Sequence, residues 1–354
     1  MECRFENIEL RGVAASLPAQ LVELRTLAAD FGETEVQRII ASTGIEAVRI
    51  APPSVTASDL CELAGRELLR EMRVEPAEVD GIVFVSQTPD FSLPATSICL
   101  QHRLGLPKSA PAFDIPSGCS GYIYGLLQSC LLISSGACRQ VLVCAGDTIS
   151  RYIHPKDRSV RLLFGDAGSA TLVARGNGAI SFALYSDGSG ASHLIIPAGG
   201  SRQPRTADTG IAKPDRDGNL RSLDNIYMNG AEIMDFALRT VPKLLDQVLT
   251  LAGWAKESVG LYAMHQANKF MIDYLARISR LPKGTVPVGM GRTGNAGPAS
   301  IPLLLTVKRE EFPAERRVRA VFCGFGVGLS WGGCAVSLGS TVILPPIEMA
   351  GERP

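Results

Sequence analysis

Four apolar runs recur in the same order in the two halves of the sequence, and no other feature restricts the fold as much. Residues 81–88 form an apolar stretch that ends in Ser86, Gln87 and Thr88; residues 260–267 repeat the design and end in His265, Gln266 and Ala267. Residues 113–121, which carry Cys119, are answered by 288–298, which carry Asn295. Residues 141–146 are answered by 320–325, and 169–174 by 333–338. A repeated series of this kind points to a duplicated structural unit. Longer amphipathic segments separate the short runs, the alternation that a βαβ architecture requires. Uninterrupted runs such as 141–145 suit strands covered on both faces. With 354 residues, 46% of them hydrophobic, the chain has enough apolar surface for two such units. The expectation is two halves, 1–175 and 176–345.

Local signals refine this outline. Thr56 and Asp59 form a Thr-x-x-Asp start, which predicts a capped helix over 57–73. A second periodic segment follows Asn229 and runs to about Ala252, with Pro242 expected to kink or break it. Residues 186–224 are rich in Gly, Ser, Asp and Arg and read as a surface loop, a lid or an interface arm. The Pro-rich tail after Val342 reads as frayed.

Charge and cysteine usage narrow the class of function. Lys plus Arg and Asp plus Glu each total 35, so neither nucleic acid nor a membrane surface is favoured as a partner. The N-terminus is charged and lacks the apolar centre of a signal peptide, and the run 141–145 is far too short to span a bilayer. Nine cysteines with irregular spacing, several inside apolar stretches, suit free thiols in a reducing cytoplasm, and no CxxC pair suggests a metal.

Three residues stand where chemistry is expected. Cys119 lies between a strand ending near Ile115 and a helix beginning near Tyr122, flanked by Gly118 and Gly121. Unpaired N–H groups and the positive end of the helix favour thiolate over thiol, so Cys119 is expected to be more nucleophilic than a free cysteine. A buried structural cysteine in a strand-to-helix turn is the competing reading. His265 sits at the carboxyl end of an apolar strand, where open α/β sheets place their chemistry. Asn295, in Gly294-Asn295-Ala296-Gly297-Pro298-Ala299-Ser300, reads by itself as a turn asparagine. In the duplicated frame it occupies the position of Cys119, so the two face one another with His265 beside them. The loop around Gly326, Val327 and Gly328 follows another strand and can aim backbone N–H groups at a developing oxyanion; a phosphate cradle is the weaker alternative, since no P-loop lysine follows.

Taken in order, Ser-Gly-Cys119-Ser-Gly, His265-Gln-Ala-Asn268, Gly-Asn295-x-x-x-Ala-Ser300 and Gly326-x-Gly-x-x-Trp331-Gly resemble the 3-oxoacyl-[acyl-carrier-protein] synthase III family of the thiolase superfamily. The resemblance extends from the segment starting at Leu10 to Val336 and includes Ser42-Thr43-Gly44-Ile45, Asp157-Arg158 and 164–170. It implies a duplicated αβαβα sandwich with two five-stranded mixed sheets. It also implies a homodimer with the region 82–100 near the interface. The activity implied is a decarboxylating condensation that starts fatty-acid or polyketide-type synthesis. An acyl group is carried on Cys119, and His265 and Asn295 stabilise the enolate formed from malonyl-carrier protein. An acyltransferase delivering the acyl group to an oxygen, nitrogen or other carbon acceptor is the alternative.

No permanently bound cofactor is implied; acyl-coenzyme A or acyl-carrier protein and malonyl-carrier protein are the substrates, and acyl carrier protein the partner. The resemblance assigns Gly326 and Val327 to the oxyanion loop and Phe325 to packing near the cysteine. Leu93 would cap the acyl pocket across the dimer, where a smaller aliphatic than the family's frequent phenylalanine suits a longer or branched chain. Arg158, Asn268, Arg38 and Lys269 are assigned to carrier or coenzyme A contacts. Arg38 stands where the family often has tryptophan, Phe270 where it has arginine, Asp235 at an often basic position, and Val327 where glycine is usual.

Overall fold

The structure is a computed structural model, and it describes residues 1–311 and 317–350. Two long strands dominate it: β1 (Glu2–Pro18) and β5 (Ala167–Ser186) run antiparallel from the Glu2–Ala183 pair to the Ser16–Gly168 pair, with shifts of register between Glu6 and Ile8 and between Leu10 and Gly12. Such bulges increase the twist of a long ribbon. The first half adds to this sheet β2 (Ile82–Val85), β3 (Ala112–Ile115) and β4 (Gln140–Asp147), while Leu21–Glu23 and Ala47–Arg49 pair in a separate small ladder. The order in the sheet is β3-β2-β4-β5, with β2 parallel to both β3 and β4 and β4 antiparallel to β5. A small ladder joins β6 (Leu194–Ile195) to β7 (Tyr227–Met228). The second half contributes β8 (Leu261–Met264), β9 (Val318–Gly326) and β10 (Ser330–Leu338), in the order β8-β9-β10-β5.

Each half therefore has five strands in a mixed sheet, and the two sheets share β1 and β5. Residues 167–174 of β5 pair with β4, while residues 181–186 of the same strand pair with β10. The sequence gives no hint of this sharing. Gly176, Asn177 and Gly178 look like a turn, yet they lie inside β5. A Cβ at Gly178 would stand 2.7 Å from the Ile8 carbonyl oxygen, so that glycine permits the close passage of the β1 backbone.

Helices fill three layers. Outside the first sheet lie α2 (Ala57–Met72) and α3 (Thr96–Arg103), and α1 (Glu33–Thr43) lies to one side. Between the sheets lie α4 (Gly121–Ser134) and α7 (Ser300–Val307). Outside the second sheet lie α5 (Gly230–Ala252) and α6 (Lys269–Ile278). Strand alternation sorts the side chains accordingly. Val141, Val143 and Ala145 join Tyr122, Leu126 and Leu304 in the central core, while Leu142 and Cys144 face α2. In β9, Ala320 and Phe322 face the centre, and Val321 and Cys323 face α5. This is the period-two consequence of the continuous apolar runs.

Several local expectations meet the structure directly. The Asp59 carboxylate accepts from the Thr56 N–H at 2.8 Å, and Arg73 stands in the left-handed conformation (φ 53°) just past the helix. Helix α5 runs through Pro242 without a break, because its buried stripe of Phe236, Ala237, Val241, Leu244 and Val248 continues on both sides of the proline. The tail is not frayed at Val342: two short strands, β11 (Val342–Ile343) and β12 (Ile347–Met349), pair parallel with β1. Residues 351–354 of that tail lie outside the described residues. Among the described residues, no helix is long and apolar enough to cross a membrane.

Candidate active site

Cys119 sits in the turn between β3 and α4, and is almost fully buried. The turn closes with the Gly121 N–H donating to the Gly118 carbonyl at 2.7 Å. Ser120 Oγ lies 2.6 Å from Ser330 Oγ, tying the turn to the start of β10. The glycine hairpin between β9 and β10 folds directly over the sulfur. A Cβ at Gly326 would stand 2.9 Å from Cys119 Sγ, and one at Gly324 would stand 2.7 Å from the Cys119 carbonyl oxygen. Only glycine permits that approach.

Burial pushes the Cys119 thiol up to about 12. The backbone N–H groups of Val327 and of Cys119 itself act in the opposite direction, and the Asp147 carboxylate adds to the rise. The thiol is therefore the stable form in the free protein, contrary to the expectation drawn from the helix end. Desolvation outweighs the helix N-terminus because the sulfur is closed in by the hairpin. The two N–H groups remain available to an oxyanion formed at the same place.

His265 follows β8. Its N–H donates to the Cys323 carbonyl at 2.7 Å, which extends the parallel ladder by one residue. Nδ1 is 2.7 Å from Ser300 Oγ, at the first residue of α7, and the Phe325 ring stands edge-on at 5.8 Å. Burial lowers the imidazole to about 4, so the ring is neutral at physiological pH. Asn295 is held by its own backbone: its N–H donates to Leu163 at 2.9 Å and its carbonyl accepts from Gly165 at 3.1 Å. Its Oδ1 accepts from the Gly297 N–H at 3.1 Å, which leaves Nδ2 without a protein acceptor among the described residues.

Two cavities meet at Cys119. A neck of about 70 Å³ is lined by Cys119, His265, Asn295, Phe325, Gly326 and Asn268. A larger cavity of about 370 Å³, also lined by Cys119, Val327 and Phe164, extends behind it. The structure thus gathers Cys119, His265, Asn295, Phe325, Gly326, Val327 and Asn268, which are up to two hundred residues apart, around one sulfur. A thiol between an apolar chamber and a neck bearing a neutral imidazole and a free amide can hold an acyl chain on one side and receive a second thioester from the other.

Other expected residues lie elsewhere. Leu93 is 83% exposed and lines neither cavity of its own chain. Arg38 and Arg158 come together on the surface through Glu35: Arg38 makes a bidentate pair with it at 2.7 and 2.9 Å, and Arg158 Nε lies 3.8 Å away. Arg158 also donates to the Asp217 carbonyl at 3.2 Å. Lys269 pairs with Asp273, and a Cβ at Gly44, just past α1, would meet its side chain at 2.9 Å. Asn268, by contrast, lines the neck and also caps α6, its Oδ1 accepting from the Met271 N–H at 2.8 Å.

Asp147 escaped the sequence reading. It ends β4, lines the larger cavity and is almost fully buried. Its Oδ1 accepts from the Gln87 N–H at 2.7 Å, Ser86 Oγ at 2.8 Å and Thr88 Oγ1 at 3.3 Å. Burial raises the carboxyl to about 7 despite these donors. An acidic residue closing an apolar strand is the signal that was available. Ile226 and the segment from Leu194 to Ile196 also line the cavity. They were hidden in and beside a stretch that reads as loop, because only isolated apolar residues mark them.

Comparison with known proteins bears on this arrangement. Residues 113–188 match the family model for 3-oxoacyl-[acyl-carrier-protein (ACP)] synthase III, and residues 249–338 match the model for its C-terminal part. The chain is 34% identical to the beta-ketoacyl-[acyl-carrier-protein] synthase III of Symbiobacterium thermophilum, over 95% of this chain and 99% of the relative. Among solved structures it is similar to a 3-oxoacyl-(acyl-carrier protein) synthase from Burkholderia xenovorans LB400, with a TM-score of 0.92, 39% identity and 99% of each chain covered. It is also similar to the priming beta-ketosynthase of the R1128 polyketide pathway, with a TM-score of 0.81, 27% identity and 97% of each chain covered.

Proposed function

The chain belongs to the 3-oxoacyl-[acyl-carrier-protein] synthase III family and is a condensing acyltransferase of that type, and from this premise we propose how its residues divide the work. Cys119 takes the acyl group. Its sulfur attacks the primer thioester, the new carbon–sulfur bond forms as the old one breaks, and the thiol proton leaves with the departing thiol. The N–H groups of Cys119 and Val327 hold the oxyanion of the tetrahedral intermediate.

A malonyl thioester then occupies the neck. It loses carbon dioxide, and the electron pair left on carbon forms an enolate. The oxygen of that enolate accepts from His265 and from Asn295 Nδ2. Ser300 supports the imidazole by donating its hydroxyl proton to Nδ1, which leaves the ring proton on Nε2. A neutral imidazole suits this donor role, and burial keeps it neutral. The carbanion attacks the acyl-Cys119 carbonyl, the Cys119 sulfur leaves as a thiolate that takes a proton from water, and a 3-oxoacyl thioester departs.

The observation that carries this reading is that Cys119 lines both cavities while His265 and Asn295 line only the neck. Substrates are acyl-coenzyme A or acyl-carrier protein and malonyl-carrier protein, with no permanently bound cofactor. Arg38, Arg158, Lys269 and Asn268 are assigned to the delivery of the thioester arm.

The functional unit is a homodimer. Strand β3 is a sheet edge within the chain, and Phe91, Leu93, Ile98 and Phe113 expose apolar surface on and near it. Leu93 is then free to close the acyl cavity of a second copy.

Intact-protein mass spectrometry with acyl thioesters tests the first step. The expected result is an acyl adduct that Cys119→Ala abolishes. Malonyl-carrier protein should then clear the adduct with release of carbon dioxide, slowed 10²-fold or more in His265→Ala and Asn295→Ala, in keeping with the typical loss of an oxyanion donor (roughly 10²–10³). Clearance without carbon dioxide release would instead mark an acyltransferase to another acceptor.

A further inference from the structure

We propose that the primer is a medium-chain acyl thioester, of roughly six to ten carbons, in place of acetyl. The proposal rests on the acyl-Cys119 reading above and names its substrate class. The chamber behind Cys119 holds about 370 Å³. At about 30 Å³ for each water-sized group, that is room for roughly a dozen heavy atoms. An acetyl group places one methyl beyond the carbonyl, and it would leave nearly all of this volume unfilled.

The lining points the same way. Ile149, Phe164, Leu194, Ile195, Ile196 and Ile226 supply the walls, and the polar side chains present besides Cys119 itself are Gln87 and Asp147. Asp147 belongs to the cysteine end, since its charge acts on the Cys119 sulfur and its Oδ1 is engaged by the turn from Ser86 to Thr88. Alkyl walls of this kind reward each added methylene and offer no partner to a charged or hydroxylated chain.

The wall is also braced. Leu194 and Ile195 pair with Met228 and Tyr227 in the β6–β7 ladder. The Ile226 N–H donates to the Tyr152 carbonyl at 2.9 Å, and the Asn229 N–H donates to the His193 carbonyl at 2.7 Å. These backbone bonds hold the Leu194–Ile196 and Ile226 side of the chamber in place.

The test is the rate of Cys119 acylation, followed by intact mass, with straight-chain thioesters of two to sixteen carbons on coenzyme A and, separately, on carrier protein. The expected rate constant rises about fourfold for each methylene, as burial of a methylene in an apolar site implies. It peaks between six and ten carbons and falls beyond, with whichever carrier loads the protein. Ile226→Phe should move the peak at least two carbons shorter. Ile195→Ala, at a half-exposed position that tolerates truncation, should move it longer, and the two shifts in opposite directions keep the outcome legible if one variant folds poorly. Fastest acylation by acetyl thioesters would overturn the proposal and leave the acyl-Cys119 reading intact. Absence of an adduct from every donor would remove that reading and the proposal with it.

Discussion

Burial sets the protonation of His265 in the neck and of Asp147 in the larger cavity, and it does so with opposite signs. His265 is lowered to about 4 from the ordinary value of 6.5. The unfolded chain therefore binds a proton below pH 6.5 that the native protein refuses, so stability is lost as the pH falls from about 6.5 toward 4, by roughly 3 kcal/mol at full effect. Asp147 is raised from 3.8 to about 7. Here the native protein holds the proton longer, so stability present below pH 4 is lost as the pH rises toward 7. Asp147→Asn keeps an oxygen for the Gln87 N–H and removes that dependence. Its melting temperature relative to the parent protein should rise between pH 5 and pH 8; a constant difference would place the Asp147 titration outside this window. For His265, the NMR shifts of the ring carbons should stay flat from pH 5 to 8, whereas a midpoint near 6.5 would mean an imidazole open to water. Ser300→Ala removes the Nδ1 partner at 2.7 Å. Loss of one such bond, worth about 1–1.5 kcal/mol, should slow malonyl decarboxylation about tenfold while acylation of Cys119 changes little. These roles show unequally in the sequence. Cys119, His265 and Asn295 are marked by motif, but the thiol's protonation is not, because the hairpin that desolvates it comes from residues two hundred positions away.

At the scale of elements, legibility follows how local the cause is. The cap of α2 is written in Thr56 and Asp59, and the structure has it. The continuation of α5 through Pro242 is not written locally. A proline removes one helical hydrogen bond and crowds the preceding turn, yet the buried apolar stripe on either side outweighs that cost. The tail past Val342 pairs with β1 for the same reason: its partner is at the opposite end of the chain. Helix α6 offers a test at this scale. Asn268 both caps the helix and lines the neck. Asn268→Ala should destabilise the protein by about 1 kcal/mol in denaturant unfolding, and Asn268→Asp should restore most of that because an aspartate oxygen can accept from the same Met271 N–H. Equal losses in the two variants would mean that the Asn268 amide nitrogen, and not its cap, holds the local structure.

At the scale of the molecule, the duplicated strand series announced two halves, and strands β1 and β5 bind them into one. A boundary between residues 175 and 176 falls inside β5, so the halves have no hinge there. What this leaves exposed is the far edge of the first sheet. Strand β3 has β2 on one side and no strand on the other among the described residues, and Phe113 on it, with Phe91, Leu93 and Ile98 nearby, turns apolar surface to water. An uncovered edge with apolar neighbours invites association, and natural sheets rarely leave one unprotected. A second copy meeting this edge would bury these side chains and carry Leu93 beyond the limits of its own chain. The cavity behind Cys119 would then depend on assembly, because one of its walls includes the exposed Gln87 and the half-exposed Ile195. Phe113→Asp places a charge in that contact and should convert a dimer to monomer in sedimentation, with acylation by the preferred primer slowed at least tenfold. Leu93→Ala should leave the dimer in place and alter only the chain-length profile. A parent protein that sediments as a monomer and still acylates at full rate would mean that each chain closes its own chamber, and that Leu93 has no part in it.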